Sequence, residues 1–342
     1  MRNSPVDPAK GAKIGGMIAM GCSGTNAYRY GTMKQHVLSL TLVLADGTVV
    51  KTRNRPRKSS AGYDLTNLVV GSEGTLALVT EAILKITPLP KNPQVGLAVF
   101  ERMEDGVAVA IGIMKSGVQL EALELVDGDC MHCINHSKLA SSTVLEQPTL
   151  FLKFAGSEQA VQEQVEFVQG LCEKHGVKES EFTKEKTRMD AIWDGRKCLG
   201  NALATMKKQA SDLVITTDAA VPVSKLAQLV EGSRKIVEEQ AGEQGWWCGS
   251  VGHVGDGNVH TAIVCPKEAK EDVEELVAKI QKLALELEGT ITGEHGIGLK
   301  LRDMLNEEVG IEGVDAMRRI KFSLDPKGIL NPDKVVRLEA GI

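Results

Sequence analysis

The chain has 342 residues, 42% of them hydrophobic, enough for a sizeable buried core and, by length, about two domains. A quarter of the residues are charged, yet the formal net charge is only −5, which excludes the strongly basic balance of a protein that holds nucleic acid or an anionic membrane surface. No apolar run approaches about 18 residues, so no membrane-spanning helix is expected, and seven cysteines without a secretory signal read as free thiols of a reducing compartment.

A glycine-rich stretch, GGMIAMGCSGTNAYRYG, occupies residues 15–31. Residues 38–44 alternate as a strand, Asp46-Gly47 turns, and residues 48–51 return, a hairpin pattern. The basic run Lys51, Arg53, Arg55, Arg57 and Lys58 lacks interleaved aromatics for base stacking and reads as a solvated loop. A second glycine loop, GSEGT, spans 71–75; the apolar run 76–86 follows, and Pro88 and Pro90 mark a boundary. Between about residues 91 and 290, strands are predicted at 95–100, 119–126, 149–154, 213–215 and 246–251. Helices are predicted at 103–115, 157–174 and 273–288. Strands separated by helices and joined by hairpins predict an α+β fold on an antiparallel sheet of ferredoxin-like type. From Gly289 the chain carries a glycine-rich loop, a predicted helix at 314–323 and the terminator DPKGILNP. No internal repeat is evident. The first residues resemble neither a signal peptide nor a transit peptide, so no targeting segment is expected in this chain.

The segment GHVGDGNVH, residues 252–260, carries the most chemical information. A two-residue turn at Asp256-Gly257 would place His253 opposite His260 on one face of the ladder, close enough for both rings to reach one divalent cation. The loop GEHGIG, residues 293–298, offers Glu294 as a third ligand and His295 as a general base. Two histidines and a carboxylate leave open coordination positions, as a catalytic site requires. Cys130, His132, Cys133 and His136 have zinc-like spacing at first sight. That segment reads as a helix start and has no second half-site near it in sequence, so it is expected to be coincidence.

Seven motifs in order resemble the FAD-linked oxidases of the vanillyl-alcohol-oxidase type, in their branch of D-lactate and D-2-hydroxyglutarate dehydrogenases. They are GGMIAMGCSGTNAYRYGT (15–32), KSSAGYDL (58–65), GSEGTLALVTE (71–81), TTDAAVP (216–222), VGHVGDGNVH (251–260), TGEHGIG (292–298) and LDPKGILNP (324–332). The resemblance implies the C-terminal half of a VAO/PCMH-type FAD-binding domain in residues 1–90, a substrate-binding cap in 91–290, and a segment, 291–342, that returns to the FAD domain. It implies FAD contacts at Cys22, Ser23, Gly24, Thr25, Asn26, Gly74, Thr75 and Asn331. His253, His260 and Glu294 resemble the ligands of a divalent metal, for which zinc suits the donor set and manganese or iron would also fit. His295 resembles the catalytic base. Arg196 resembles the arginine that holds a substrate carboxylate, a task for which a guanidinium fork is suited.

The reaction implied by the resemblance is oxidation of a small D-2-hydroxy acid, D-lactate to pyruvate, with hydride transfer to FAD. Cytochrome c or another acceptor is the implied electron acceptor, and the mitochondrion the implied location. Relatives acting on 2-hydroxyglutarate carry lysine where this chain has Thr216, which favours a monocarboxylate. The chain departs from the pattern at the front, where it begins near Asp7-Pro8, beyond the loop that would hold the FAD pyrophosphate. Such a front would leave sheet edges and apolar surface exposed, which predicts poor solubility. Ala77, where relatives place glycine, is a small departure confined to loop packing. The alternatives are a glycolate or D-2-hydroxyglutarate enzyme and an inactive metal-binding fragment. A nicotinamide enzyme is disfavoured, because no GxGxxG lies between a strand and a helix.

Overall fold

The structure, a computed structural model, describes residues 2–3, 5–8 and 11–338. The chain divides into two compact units, Met1–Leu89 with Ile291–Ile342, and Pro90–Thr290.

The first helix of the first unit, α1 (Ile14–Met20), ends on Gly21 in the left-handed region at φ 60, its N–H bonding Ile18 O and Met17 O. The sharp exit delivers Cys22 into the first glycine loop. Strands β1 (Val37–Val43), β2 (Val49–Lys51) and β3 (Leu78–Leu84) form an antiparallel sheet in the order β2-β1-β3, with Val43 opposite Val49 across the hairpin at Asp46-Gly47. Met17, Ile18, Met33, Leu40, Leu42, Val69 and Val70 form the core of this sheet and α1.

The second unit is built on one eight-stranded antiparallel sheet. In chain order it runs β4 (Gln94–Val99), α2 (Met103–Ser116), β5 (Ala122–Val126), α3 (Gly128–Ser137), β6 (Thr149–Phe154), α4 (Glu158–Lys174), β7 (Glu179–Thr183) and α5 (Lys186–Ala202). It continues with β8 (Leu213–Thr216), β9 (Ala219–Ala220), α6 (Leu226–Gln244), β10 (Trp247–His253), β11 (Asn258–Cys265) and α7 (Lys270–Glu286). In space the strands lie β8-β11-β10-β5-β6-β4-β7, with β9 also on β11. The run β5-β6-β4-β7 has ferredoxin-like order. The run β10-β11-β8 repeats the spatial order β5-β6-β4, with a hairpin joining β10 to β11 where α3 lies between β5 and β6, and β5 joins β10. The repeat is topological, which is why no self-similar period is visible in the sequence.

α2, α4, α6 and α7 pack with one another on one face, and α3 and α5 cover the other. Strand β5, buried at all five positions, separates the two layers. Its Ala122 and Val126 join Val95, Leu97, Val99 and Phe151 beneath Cys130, Met131, Ile192 and Trp193 of α3 and α5. α5, α6 and β7 are absent from the elements predicted from the sequence. β7 is polar and half-exposed, so period-two alternation of apolar residues is nearly lost there.

The chain closes with α8 (Leu305–Leu324), which contains a non-helical Gly310 and buries Lys321. Among the described residues no helix is long and apolar enough to cross a membrane.

Candidate active site

In the second unit, the β10–β11 hairpin carries the two histidines on the sheet face covered by α5. The connection is not the two-residue turn expected from Asp256-Gly257. A single 3-10 turn, Val254–Asp256, makes a four-residue loop, and His253 pairs with Asn258 while His260 pairs with Val251. Gly257 alone takes a left-handed φ of 73, and the N–H of Val221 donates to its carbonyl, fixing the loop against the strand that follows β8. A Cβ at Gly257 would sit 2.2 Å from Val221 O. The register differs from expectation by two residues. Because side chains alternate with period two, both rings stay on one face as diagonal neighbours. Their centroids are 5.6 Å apart at 89°.

Each ring is oriented through Nδ1. His253 Nδ1 lies 2.8 Å from Glu124 Oε1, and His260 Nδ1 lies 3.3 Å from Thr217 O and 3.5 Å from Asp218 Oδ1. With Nδ1 committed to an acceptor, Nε2 is the nitrogen through which each ring would bind a metal, the pattern that metal-ligating histidines adopt. Asn258 donates through Nδ2 to Asp218 Oδ1 at 2.9 Å and to Ala219 O at 3.2 Å. Its Oδ1 is buried with no hydrogen-bond partner among the described residues. Both Nδ2 partners are pure acceptors, so the amide orientation is fixed and the unpaired atom is an acceptor. An unsatisfied acceptor beside two imidazoles suits a site that receives a hydroxyl or a water on a cation. The donor set therefore fits a divalent cation.

Arg196 reaches the same face from α5, whose Ile192, Gly195 and Leu199 are buried at helical spacing. Its Nε and terminal NH2 nitrogen donate to Glu124 Oε2 at 3.1 and 2.6 Å. The Glu124 side chain is 1% exposed and that of Arg196 11%. Burial pushes the Glu124 carboxyl up, but His253 and Arg196 together outweigh burial and hold it below the usual carboxylate range. Thr216 lies opposite Ala262, two residues along from His260, and so shares the histidine face.

In the first unit, the glycine loop after α1 is tied to Asp7, whose carboxylate accepts from Thr25 Oγ1 at 2.7 Å and from Asn26 N at 2.9 Å. Asn26 Nδ2 donates to Pro5 O. The side chains of Thr25 and Asn26 thus hold the loop. Burial pushes the Cys22 thiol up to about 11, with Glu294 and Asp7 adding to the effect, so Cys22 is not a thiolate nucleophile. In the GSEGT loop, Gly74 has a left-handed φ of 71 and open space where a Cβ would stand, while Ser72 Oγ is buried with no hydrogen-bond partner among the described residues. Open space at Gly74 beside the Ser72 hydroxyl fits a polar ligand such as a flavin nucleotide.

The GEHGIG loop is held by Glu73, whose carboxylate accepts from Ile297 N at 2.7 Å and Gly298 N at 2.9 Å. Asn331 Nδ2 donates to Glu73 O at 2.5 Å. Both residues take left-handed backbone, at φ 54 for Glu73 and φ 40 for Asn331, so the clamp is strained as well as bonded. Glu294 is mostly buried; His295 is half-exposed, with Nε2 3.7 Å from Glu294 Oε1. A second clamp joins Thr75 to the terminator: buried Lys321 donates to Thr75 O at 2.8 Å, to Leu330 O at 2.7 Å and to Asp325.

The structure thus gathers Cys22, Ser23, Gly24, Thr25, Asn26, Gly74, Thr75, Glu294, His295 and Asn331 in the first unit, and Arg196, His253 and His260 in the second. Glu124, Asp218, Asn258 and Glu73 were not singled out from the sequence. Glu124 had a signal: a carboxylate in the middle of Ala122-Leu123-Glu124-Leu125-Val126 must face a core and needs a partner there. The Cys130/His132 cluster does not converge. Cys130 and Cys133 lie fully buried on one side of α3, whereas His132 and His136 are exposed on another.

Two family models match the chain. FAD linked oxidases, C-terminal domain, covers residues 89–335, and FAD binding domain covers 2–53. Over 97% of its length the chain is 43% identical to "D-lactate dehydrogenase [cytochrome], mitochondrial" of Kluyveromyces lactis and 40% identical to the protein so named in Arabidopsis thaliana. It spans 58% of the length of each of these relatives. In fold it is similar to p-cresol methylhydroxylase, with a TM-score of 0.72 at 12% identity, over 94% of this chain and 69% of the other. Fold, motifs and family models agree that the chain belongs to the FAD-linked oxidases.

Proposed function

We propose that this chain provides the substrate side and part of the flavin side of an FAD-dependent D-2-hydroxy-acid dehydrogenase, with D-lactate oxidised to pyruvate. The observation that carries the reading is the face of β5, β10 and β11, where two imidazoles oriented through Nδ1 share a buried surface with an arginine. The relatives' names supply the substrate class. FAD, held by the loops at 22–26 and 72–75 and by Asn331, supplies a two-electron hydride acceptor when bound. A divalent cation on His253, His260 and Glu294, best suited to zinc with manganese or iron as alternatives, supplies Lewis acidity at the substrate hydroxyl. Arg196 holds the substrate carboxylate and His295 accepts the hydroxyl proton. Thr216 offers no positive charge to a second carboxylate, which favours D-lactate over 2-hydroxyglutarate. The relatives' names, which include "[cytochrome]" and "mitochondrial", support cytochrome c or another acceptor and a mitochondrial location.

The test is to add excess FAD to the purified protein, desalt, and record the visible spectrum with and without D-lactate. Retained flavin that bleaches with D-lactate supports the reading. Bleaching by glycolate or D-2-hydroxyglutarate alone reassigns the substrate. A folded protein that takes up metal but no flavin would instead support the metal-binding-fragment reading. In flavin-loaded protein, His295→Ala should nearly abolish bleaching while sparing flavin content; near-normal bleaching would remove His295 as the base.

A further inference from the structure

Glu124 makes contact with two residues to which the proposed function gives different tasks, and no motif includes it. We propose that Glu124 is the positioning residue of this site, setting the His253 ring for the cation and the Arg196 guanidinium for the substrate carboxylate. This role rests on the proposed dehydrogenase function.

Three observations carry it. First, the strand geometry aims the carboxylate. Val251 pairs with Val126 and Gly252 with Leu125, so the same register brings Glu124 opposite His253 across the junction of the two halves of the sheet. Second, the two carboxylate oxygens divide their work. Oε1 lies 2.8 Å from His253 Nδ1, which places the ring proton on Nδ1 and leaves Nε2 as the ligating nitrogen. Oε2 takes the Nε and NH2 nitrogens of Arg196, which fixes the plane of the guanidinium and directs its far edge, NH1 with NH2, as the one to meet a substrate carboxylate. Third, the placement is costly unless it is used. A carboxylate 1% exposed in the middle of a five-residue buried strand would be strongly disfavoured alone. Valine or leucine would fill the same strand position without needing partners from β10 and α5. Truncating or neutralising Glu124 therefore removes the orientation of two groups together.

The measurement is Zn²⁺ affinity of metal-free protein, by competition with a chromophoric chelator, alongside the thermal unfolding midpoint. For Glu124→Gln the expected result is Zn²⁺ affinity weakened about 10–100-fold, the range for loss of an outer partner of a ligating histidine, in protein that still folds. If Glu124→Gln does not fold because Arg196 is left buried without its counter-charge, the double variant Glu124→Gln/Arg196→Met removes both charges. It should fold and show the same weakening. His253→Ala separates the two levels of the argument. If it abolishes tight Zn²⁺ binding while Glu124→Gln or the double variant binds as tightly as the wild type, the positioning role is overturned and the metal reading stands. If His253→Ala itself binds Zn²⁺ as the wild type does, the metal reading fails and the role of Glu124 falls with it.

Discussion

Replacing Lys321 with methionine removes a buried ammonium that ties α8 to the GSEGT loop. In the wild type, Lys321 is 3% exposed and donates to Thr75 O, Leu330 O and the carboxylate of Asp325, which is itself fully buried. Asp325 also accepts from Ile329 N at 3.0 Å and Leu330 N at 2.8 Å. Burial pushes its carboxyl up, but the bond from Lys321 and those two amides prevail and hold it below its usual value. Without Lys321 the carboxylate keeps its two amides but loses its counter-charge, and two carbonyls lose a donor. Breaking a buried pair from one side costs about 3–5 kcal/mol. Lys321→Met/Asp325→Asn should cost less than Lys321→Met, because no bare charge remains. The assay is denaturant unfolding of the first unit, followed by amide exchange in peptides covering 321–331. All three tryptophans lie in the second unit, at 193, 246 and 247, so indole emission reports that unit separately. A loss below about 1 kcal/mol for Lys321→Met, or a double variant weaker than the single, would refute the buried-charge argument.

Glu73→Ala should release the GEHGIG loop without unfolding its surroundings. Two bonds to a charged acceptor at roughly 1.5 kcal/mol each predict amide exchange at Ile297 and Gly298 faster by about 100-fold, and unchanged exchange there would show that the loop is held otherwise. Burial pushes the Asp127 carboxyl up to about 7, against the pull of the Cys130 and Ser250 amides that it accepts. A folded value above the unfolded one means stability that is fully present below about pH 4 and lost as pH rises through 7, by at most about 4 kcal/mol. Tryptophan-monitored unfolding across that window should show the decline, and a profile equally steep in Asp127→Asn would assign it to another group.

Much of the fold is legible because its signals are local. The strand–helix alternation from 94 to 174 follows from apolar periodicity, as does the helix capped by Ser157, whose Oγ accepts from Ala160 N. The hairpin at 252–260 shows where local signals end. Asp-Gly favours a two-residue turn in isolation, but the Val221 N–H holds Gly257 O, and that tertiary bond comes with a longer loop and a shifted register. The histidine pair remained legible because a shift of two preserves the face. The partners of that pair did not, since Glu124 lies 129 residues from His253 and its meaning depends on which strands become neighbours.

The two clamps of the first unit also govern when that unit can be completed during synthesis. They join positions 224 and 246 residues apart, with the whole second unit translated in between. At about 5–20 residues per second, the first 89 residues wait roughly 10–40 s for their partners to leave the ribosome. Closing so long a loop from an unfolded chain would cost about 5 kcal/mol in entropy, far less once the intervening segment has folded and shortened the effective path. The insert is thus the natural first folder, and during the wait the β2-β1-β3 sheet lacks the segment that later seals the GSEGT loop. That interval is when a nascent chain of this kind most needs a holding chaperone, and slowing translation within the insert should raise aggregation rather than lower it.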